Sequence, residues 1–316
     1  MQKTGFLYDD RYRRHDTGPY HPETAERLPA IYRGIREAGL LPRLHEYTAD
    51  LPERRWVELV HDPAYVDRFQ EACRAGKRIL DSGDNRMCPE TFETAMLAVG
   101  GVLKTLDLVM NGTVRNAFCA VRPPGHHAER DRAMGFCYLN NVAVGARYLQ
   151  QRWGVARVGI VDFDVHHGNG TQHIFESDAS VLYYSIHQHP SFTFPGTGRE
   201  FERGAGPGLG FTHNSPVLPG QGDAEYRRLL ERDLFPVFAS FQPEFVLVST
   251  GFDGHEKDDM ADMRLSGEGL AWIMEHIVAM ADGAARGRLV SVLEGGYNLE
   301  RLPELAARHV EILLEA

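Results

Sequence analysis

The sequence predicts a three-layer α/β fold, with helices on both faces of a parallel sheet. Short apolar runs rich in Val, Ile and Phe recur along the chain, and helix-length patterns separate them. No internal repeat, low-complexity tract or linker-like shift in composition interrupts the 316 residues, so a single domain, 1–316, is expected.

The runs lie at 116–121, 156–162, 180–186, Phe245–Thr250 and Leu289–Leu293. Each is too short for a buried helix and is bounded by Gly, Pro or polar residues, the mark of a buried strand. Helical patterns cover 90–110 behind Pro89, 139–153, 223–241 with Asp223 as the expected N-cap, and 266–285 with Ser266 at its start. Two earlier segments, 23–38 and 63–76, also read as helices. In open α/β sheets ligand chemistry gathers outside the carboxyl ends of the strands, so functional residues are expected just after each run.

A hydrophobic share of 43% and a charged share of 25% are ordinary for a soluble globular protein, and they exclude collagen-like and disordered chains. The formal net charge of −10 opposes the phosphate backbone, so no direct nucleic-acid ligand is expected. The N-terminal segment lacks a signal peptide's apolar run, and no stretch reaches about 18 consecutive apolar residues, which predicts a cytoplasmic protein with no membrane span. Cys73, Cys88, Cys119 and Cys137 form no Cys-x-x-Cys pair, so any metal must be held by histidine and carboxylate. Fifteen histidines, several in adjacent pairs, are available for that.

After the first run, two prolines and a glycine precede the tandem His126-His127. After the second come Asp162, Asp164 and His166, spaced by two. On a strand that is ending, such residues face one side and converge, and an unpaired carboxylate there is costly. Asp253 follows the fourth run, and Tyr297 follows the fifth behind Gly295 and Gly296. Two carboxylates and one imidazole make the ligand set of a catalytic metal site, so Asp164, His166 and Asp253 are the candidate ligands. Zn²⁺ suits them, and so do Fe²⁺, Mn²⁺ and Co²⁺. Such an ion acidifies water and polarises a carbonyl, a general base is then needed nearby, and the His126–His127 tandem offers one. Asp162 and Asn169 are available to orient its rings.

Six segments carry a family resemblance: RPPGHHA (122–128), GFCYLNN (135–141), DFDVHHGNGTQ (162–172), FPGTG (194–198), STGFD (249–253) and EGGY (294–297). Together with the His-Pro-Glu segment at 21–28 they resemble the zinc-dependent histone deacetylase and acetylpolyamine amidohydrolase superfamily, on its class II and bacterial side. The resemblance implies an arginase-like α/β domain with a central eight-stranded parallel sheet. It implies Asp164, His166 and Asp253 as zinc ligands, His126 and His127 as acid/base pair, oriented by Asp162 and Asn169, and Tyr297 as oxyanion donor. The tunnel would be lined by Gly135, Phe136 and Phe194, with Met260 at an apolar tunnel position and Asp84 placed to bind the substrate's backbone amide. Structural K⁺ or Na⁺ ions would sit on backbone atoms of Asp162, Asp164 and His166 with Ser185 and Ile186, and on Phe175, Asp178, Val181 and Phe211.

The activity so implied is removal of acetyl or another small acyl group from the ε-amine of lysine in proteins or peptides. An acetylpolyamine amidohydrolase is the alternative enzyme, and Glu256, Asp258 and Asp259 would put negative charge near the tunnel mouth. A non-catalytic acyl-lysine binding module is the alternative of another class, although it has no use for both a base and an oxyanion donor. His187 and His189 read as loop or rim histidines, and Met96, Met274 and Met280 as helix core. The oligomeric state is left open.

Overall fold

All five apolar runs form strands, and three strands that lack such a run join them. The computed structural model describes residues 3–316. Its strands are β1 (Lys3–Leu7), β2 (Leu44–Tyr47), β3 (Val114–Cys119), β4 (Val158–Asp162), β5 (Val181–Gln188), β6 (Thr212–Val217), β7 (Phe245–Thr250) and β8 (Leu289–Leu293). They form one eight-stranded sheet in the order β2-β1-β3-β8-β7-β4-β5-β6, with every neighbouring pair parallel. The fold is the arginase-like α/β/α arrangement expected. Strands β4, β7 and β8 are buried along their whole length, as strands covered on both faces must be. Two of the three strands without a strong run are edges: β2 is half-exposed, and β6, at the opposite edge, reads Thr-His-Asn-Ser-Pro-Val, while β1 lies inside the sheet and is buried from Thr4 onward. An edge strand tolerates Pro216 because one side of it needs no ladder partner.

Helices Thr91–Met110 and Asn141–Trp153 pack on each other and on the sheet, while Arg27–Glu37, Gly267–Ala285 and Leu302–Glu315 form the other layer. Asn140 caps its helix by accepting a hydrogen bond from the Ala143 amide at 3.0 Å, and Ser266 does the same for Gly269 at 3.0 Å, each cap contributing about 1 kcal/mol.

Several helix starts differ from expectation, and the helix expected over 139–153 begins at Asn141. Helix 91–110 begins one residue later than the sequence pattern. Asp223 is not an N-cap: Gly222 takes that place, and the Asp223 carboxylate instead accepts from the Ser266 amide and hydroxyl at 2.8 and 2.6 Å, tying two helix starts together. The first helix starts at Arg27 rather than 23, because Glu23 is drawn inside as the counter-ion of buried Arg27 and Arg122.

What matters for the site is the run β3-β8-β7-β4 at the centre of the sheet. Their ends are in register: Cys119 opposes Val292, Val292 opposes Ser249, and Ser249 opposes Asp162. The segments that leave these strands therefore emerge level and side by side, and they carry the histidine tandem, Tyr297, Asp253 and the Asp162–Asn169 loop.

Candidate active site

Each of the four strand ends delivers buried polar groups to one point. Oxygen or nitrogen atoms of Asp164, His166 and Asp253 lie within 4.8 Å of one another, all three residues buried. Asp164 Oδ1 accepts from the His166 amide at 2.9 Å and Oδ2 from the Gly295 amide at 2.7 Å, which fixes the carboxylate between two loops. Asp253 Oδ1 accepts from the Val165 amide at 3.1 Å. Its Oδ2 is buried without a hydrogen-bond donor and lies 3.2 Å from His166 Nδ1.

An orphaned carboxylate oxygen facing a second carboxylate and an imidazole nitrogen is an arrangement that a divalent cation balances. Burial and the charge of Asp164 push the Asp253 carboxyl up to about 6, against the lowering pull of His166. The backbone leaves room for an ion: a Cβ on Gly295 would collide with the carboxylates of both Asp253 and Asp164. The donor set thus fits the metal expected from the sequence.

The two histidines of the tandem sit beside this cluster with ring centroids 4.0 Å apart, and their surroundings drive them in opposite directions. His126 Nδ1 is 3.0 Å from Asp162 Oδ2, and His126 Nε2 is 3.8 Å from Asp164 Oδ1. Burial disfavours its charge, but Asp162, Asp164 and Glu294 outweigh that and raise it to about 10. His127 Nδ1 is 2.8 Å from Asn169 Oδ1, a neutral partner. Burial and the neighbouring His126 and His166 charges hold His127 well below the usual imidazole range. Side by side stand one imidazole kept protonated and one kept neutral.

The Tyr297 ring is held between Arg27 and Phe136. The Arg27 guanidinium lies 4.8 Å from its ring centroid, and the Phe136 ring meets it edge-on at 6.0 Å. Arg27 also donates to the carbonyls of Glu294 and Gly296, at 2.6 and 2.8 Å, and so grips the loop from inside.

Two residues of this site escaped the sequence reading. Glu294 turns its carboxylate into the site, where Oε2 accepts from the Gly125 and His126 amides at 2.6 and 3.1 Å and sets the entry of the histidine tandem. Burial pushes it up to about 7. The signal was present, a carboxylate directly after an apolar run. Asp258 is the other, and here expectation needs correcting. It is no mouth charge: it is 5% exposed, and its Oδ2 accepts from the Tyr297 and Asn298 amides at 2.7 and 2.9 Å, while Oδ1 takes the Met260 amide at 3.1 Å. Only Glu256 and Asp259 of that trio are exposed.

The expected tunnel residues gather above the floor. Gly135 has φ of +56°, and a Cβ there would strike the His127 ring and come close to Phe194, so only glycine permits this approach. Phe194 meets His127 edge-on at 4.9 Å. Asp84 is half-buried and accepts the Gly135 amide at 3.0 Å, and Asn85 takes the Phe136 amide at 2.8 Å, so one hairpin positions both tunnel residues. Met260 is half-buried and joins this set through Asp258.

His187 proves to be fully buried in β5 rather than at a rim, with Nδ1 2.8 Å from the Ser185 hydroxyl and Nε2 2.8 Å from the Gly198 carbonyl. It anchors the Gly-Thr-Gly turn that follows Phe194. His189 is half-buried just beyond β5. Met96 and Met274 are core, and Met280 is half-buried against it.

The chain is similar to known proteins along most of its length. The profile of the histone deacetylase domain matches residues 21–313. A probable deacetylase of Archaeoglobus fulgidus is 40% identical over 302 residues, covering 94% of this chain and 82% of the relative. The human polyamine deacetylase HDAC10 is 40% identical over 301 residues, covering 92% of this chain and 44% of the longer relative. The crystal structure of the HDA15 HD domain superposes with a TM-score of 0.92 at 33% identity, covering 100% of this chain and 90% of that one. Among the described residues no helix is long and apolar enough to cross a membrane.

Proposed function

This chain belongs to the histone deacetylase family, and we propose that it is a metal-dependent amidohydrolase that removes acetyl or another small acyl group from the ε-amine of lysine in proteins or peptides. In this reading residues 1–316 are one catalytic domain. The observation that carries the reading is the convergence of Asp164, His166 and Asp253 beside a histidine pair whose members are held in opposite protonation states. These three residues would hold Zn²⁺, with Fe²⁺, Mn²⁺ and Co²⁺ as ions the same donors accept. When bound, the ion supplies Lewis acidity toward water and the substrate carbonyl.

The chain's own groups do the rest. His127, neutral and steadied by Asn169, accepts the proton of the attacking water at Nε2. His126, kept protonated by Asp162, favours charge build-up nearby and holds a proton for the departing amine. The Tyr297 hydroxyl donates to the carbonyl oxygen as negative charge develops on it. Phe136 and Phe194 flank the aliphatic stem of the acyl-lysine, and the free oxygen of Asp84 accepts a peptide N–H. Structural K⁺ or Na⁺ on the β4–β5 backbone belongs to the same reading.

Hydrolysis of acetylated polyamines is the second reading, favoured by the likeness to a relative named as a polyamine deacetylase and by exposed Glu256 and Asp259. A pure binding module has no use for the histidine pair. Parallel turnover of acetyl-lysine peptides, acetylputrescine and acetylspermidine tests the choice. Higher kcat/KM on peptides supports lysine deacylation, and a preference for acetylspermidine that collapses as salt rises would replace it.

A further inference from the structure

Beside the tunnel mouth lies a cavity of about 370 Å³ that no step above uses, lined in part by Thr17, Tyr20, His21, Arg78, Arg86 and Met87. An antiparallel bridge between Ile79 and Arg86, with the Met87 amide donating to the Arg78 carbonyl at 3.0 Å, joins the two backbone segments that carry the arginines, and both residues line the cavity. Both are exposed, and neither guanidinium makes a hydrogen bond or ion pair among the described residues.

None of the nearby acids pairs with either guanidinium, although Asp84 and Asp16 keep their charge. Asp81 pairs with Arg68 and accepts the Ala133 amide, Asp84 Oδ2 accepts the Gly135 amide, and Asp16 Oδ1 accepts the Gly18 amide. On a chain of net charge −10, two guanidinium groups without an ion-pair partner line this one concave wall, and the lining holds no acid, so it is a place that attracts anions, with the fork geometry that suits carboxylate or phosphate.

His21 is the partition between cavity and tunnel. Its Nε2 lies 3.1 Å from the Asp84 carbonyl, and its ring meets Phe136 edge-on at 4.7 Å, while Phe136 faces Tyr297. A peptide extended across the rim advances about 3.3 Å per residue. One to three residues so span about 3–10 Å, the range over which a side chain flanking the acylated lysine would pass His21 to the cavity.

We propose that Arg78 and Arg86 form a subsite for an anionic side chain, carboxylate or phosphate, flanking the acylated lysine of a peptide substrate. The inference rests on the lysine-deacylase reading and adds a sequence preference to it. The test is a set of acetyl-lysine peptides carrying Ala, Glu, phosphoserine or Lys at each of the three positions on either side, assayed with the native enzyme, with Arg78→Glu/Arg86→Glu and with the milder Arg78→Gln/Arg86→Gln.

At one or more positions the native enzyme should favour an anion over Ala by about fivefold or more in kcat/KM, and the gain should shrink with salt. The reversal should favour Lys there, the Gln pair should lose the preference, and both should turn over a blocked acetyl-lysine amide as the native enzyme does. The larger gain, Glu or phosphoserine, identifies the anion. Peptide turnover without anionic preference, or with a preference that survives both variants, overturns the subsite alone. Turnover of an acetylated polyamine with none of any peptide overturns the deacylase reading as well.

Discussion

At the floor of the site, Asp162, Asp164, Asp253 and Glu294 are buried, and all of their carboxylate oxygens but Asp253 Oδ2 have a hydrogen-bond partner. At the rim, Phe194 is 40% exposed, Asp84 and Met260 are half-buried, and the loops that carry them are tied down by side-chain hydrogen bonds to loop amides and carbonyls rather than by strand pairing. The floor hangs from four neighbouring strand ends in one register, so a displaced atom there disturbs several partners. The rim hangs from hairpins and turns. Floor substitutions should therefore act on every substrate, whereas rim substitutions should act on some substrates and spare others.

The largest effect is expected where the floor lacks a donor. Asp253→Ala removes the oxygen that faces His166, and it should lower metal content to background and activity by at least about 10³-fold on all substrates. Full metal occupancy by elemental analysis in that variant would remove Asp253 from the ligand set.

Asp258 tests where floor gives way to rim. As the anchor of the Tyr297 amide, Asp258→Ala should cut kcat by about 10²-fold with metal retained and KM little changed. Asp258→Asn, which keeps one acceptor oxygen, should lose about tenfold. Native kcat with an altered peptide-to-polyamine preference would return Asp258 to the mouth.

At the rim proper, Asp84→Ala should raise KM for peptides by roughly tenfold through loss of one charge-assisted hydrogen bond, and change a small acetylated amine much less. Equal losses on both would place Asp84 among the floor residues.

The smallest effect on turnover, and a measurable one on stability, comes from histidines buried away from the site. Burial depresses His309 to about 3 and His61 to about 4, against an ordinary value of 6.5. Below pH 6.5 the unfolded chain takes up protons that the folded chain refuses, so stability should fall as pH falls, by about 1.4 kcal/mol per pH unit for each such group. Denaturant unfolding at pH 7 and pH 5 should show the slope, and His309→Gln should reduce it by one proton. An unchanged slope would mean that His309 ionises in place.

The same division marks what could be read from the sequence. The floor was legible because buried strands impose apolar runs, and polar groups crowded at their ends have few other uses; Asp162, Asp164, His166 and Asp253 all meet where spacing placed them. Strands β2 and β6 were not legible, since an edge position demands neither a continuous apolar run nor freedom from proline. Asp258 was misread for a related reason. In an exposed-looking Glu-Lys-Asp-Asp segment nothing local distinguishes the one carboxylate that folds inward onto the amides of Tyr297 and Asn298, 39 and 40 residues away. His187 was misjudged because its partners, Ser185 and the Gly198 carbonyl, become neighbours only once β5 and the following loop are in place.

The claim that the floor is a hydrolytic centre is tested most directly by acetate release from an acetyl-lysine peptide by the native protein and Tyr297→Phe at matched metal content. The hydroxyl matters chiefly as the carbonyl oxygen gains charge, so kcat should fall by about 10²–10³-fold while metal content stays unchanged. Near-native kcat in Tyr297→Phe at full metal occupancy would contradict it.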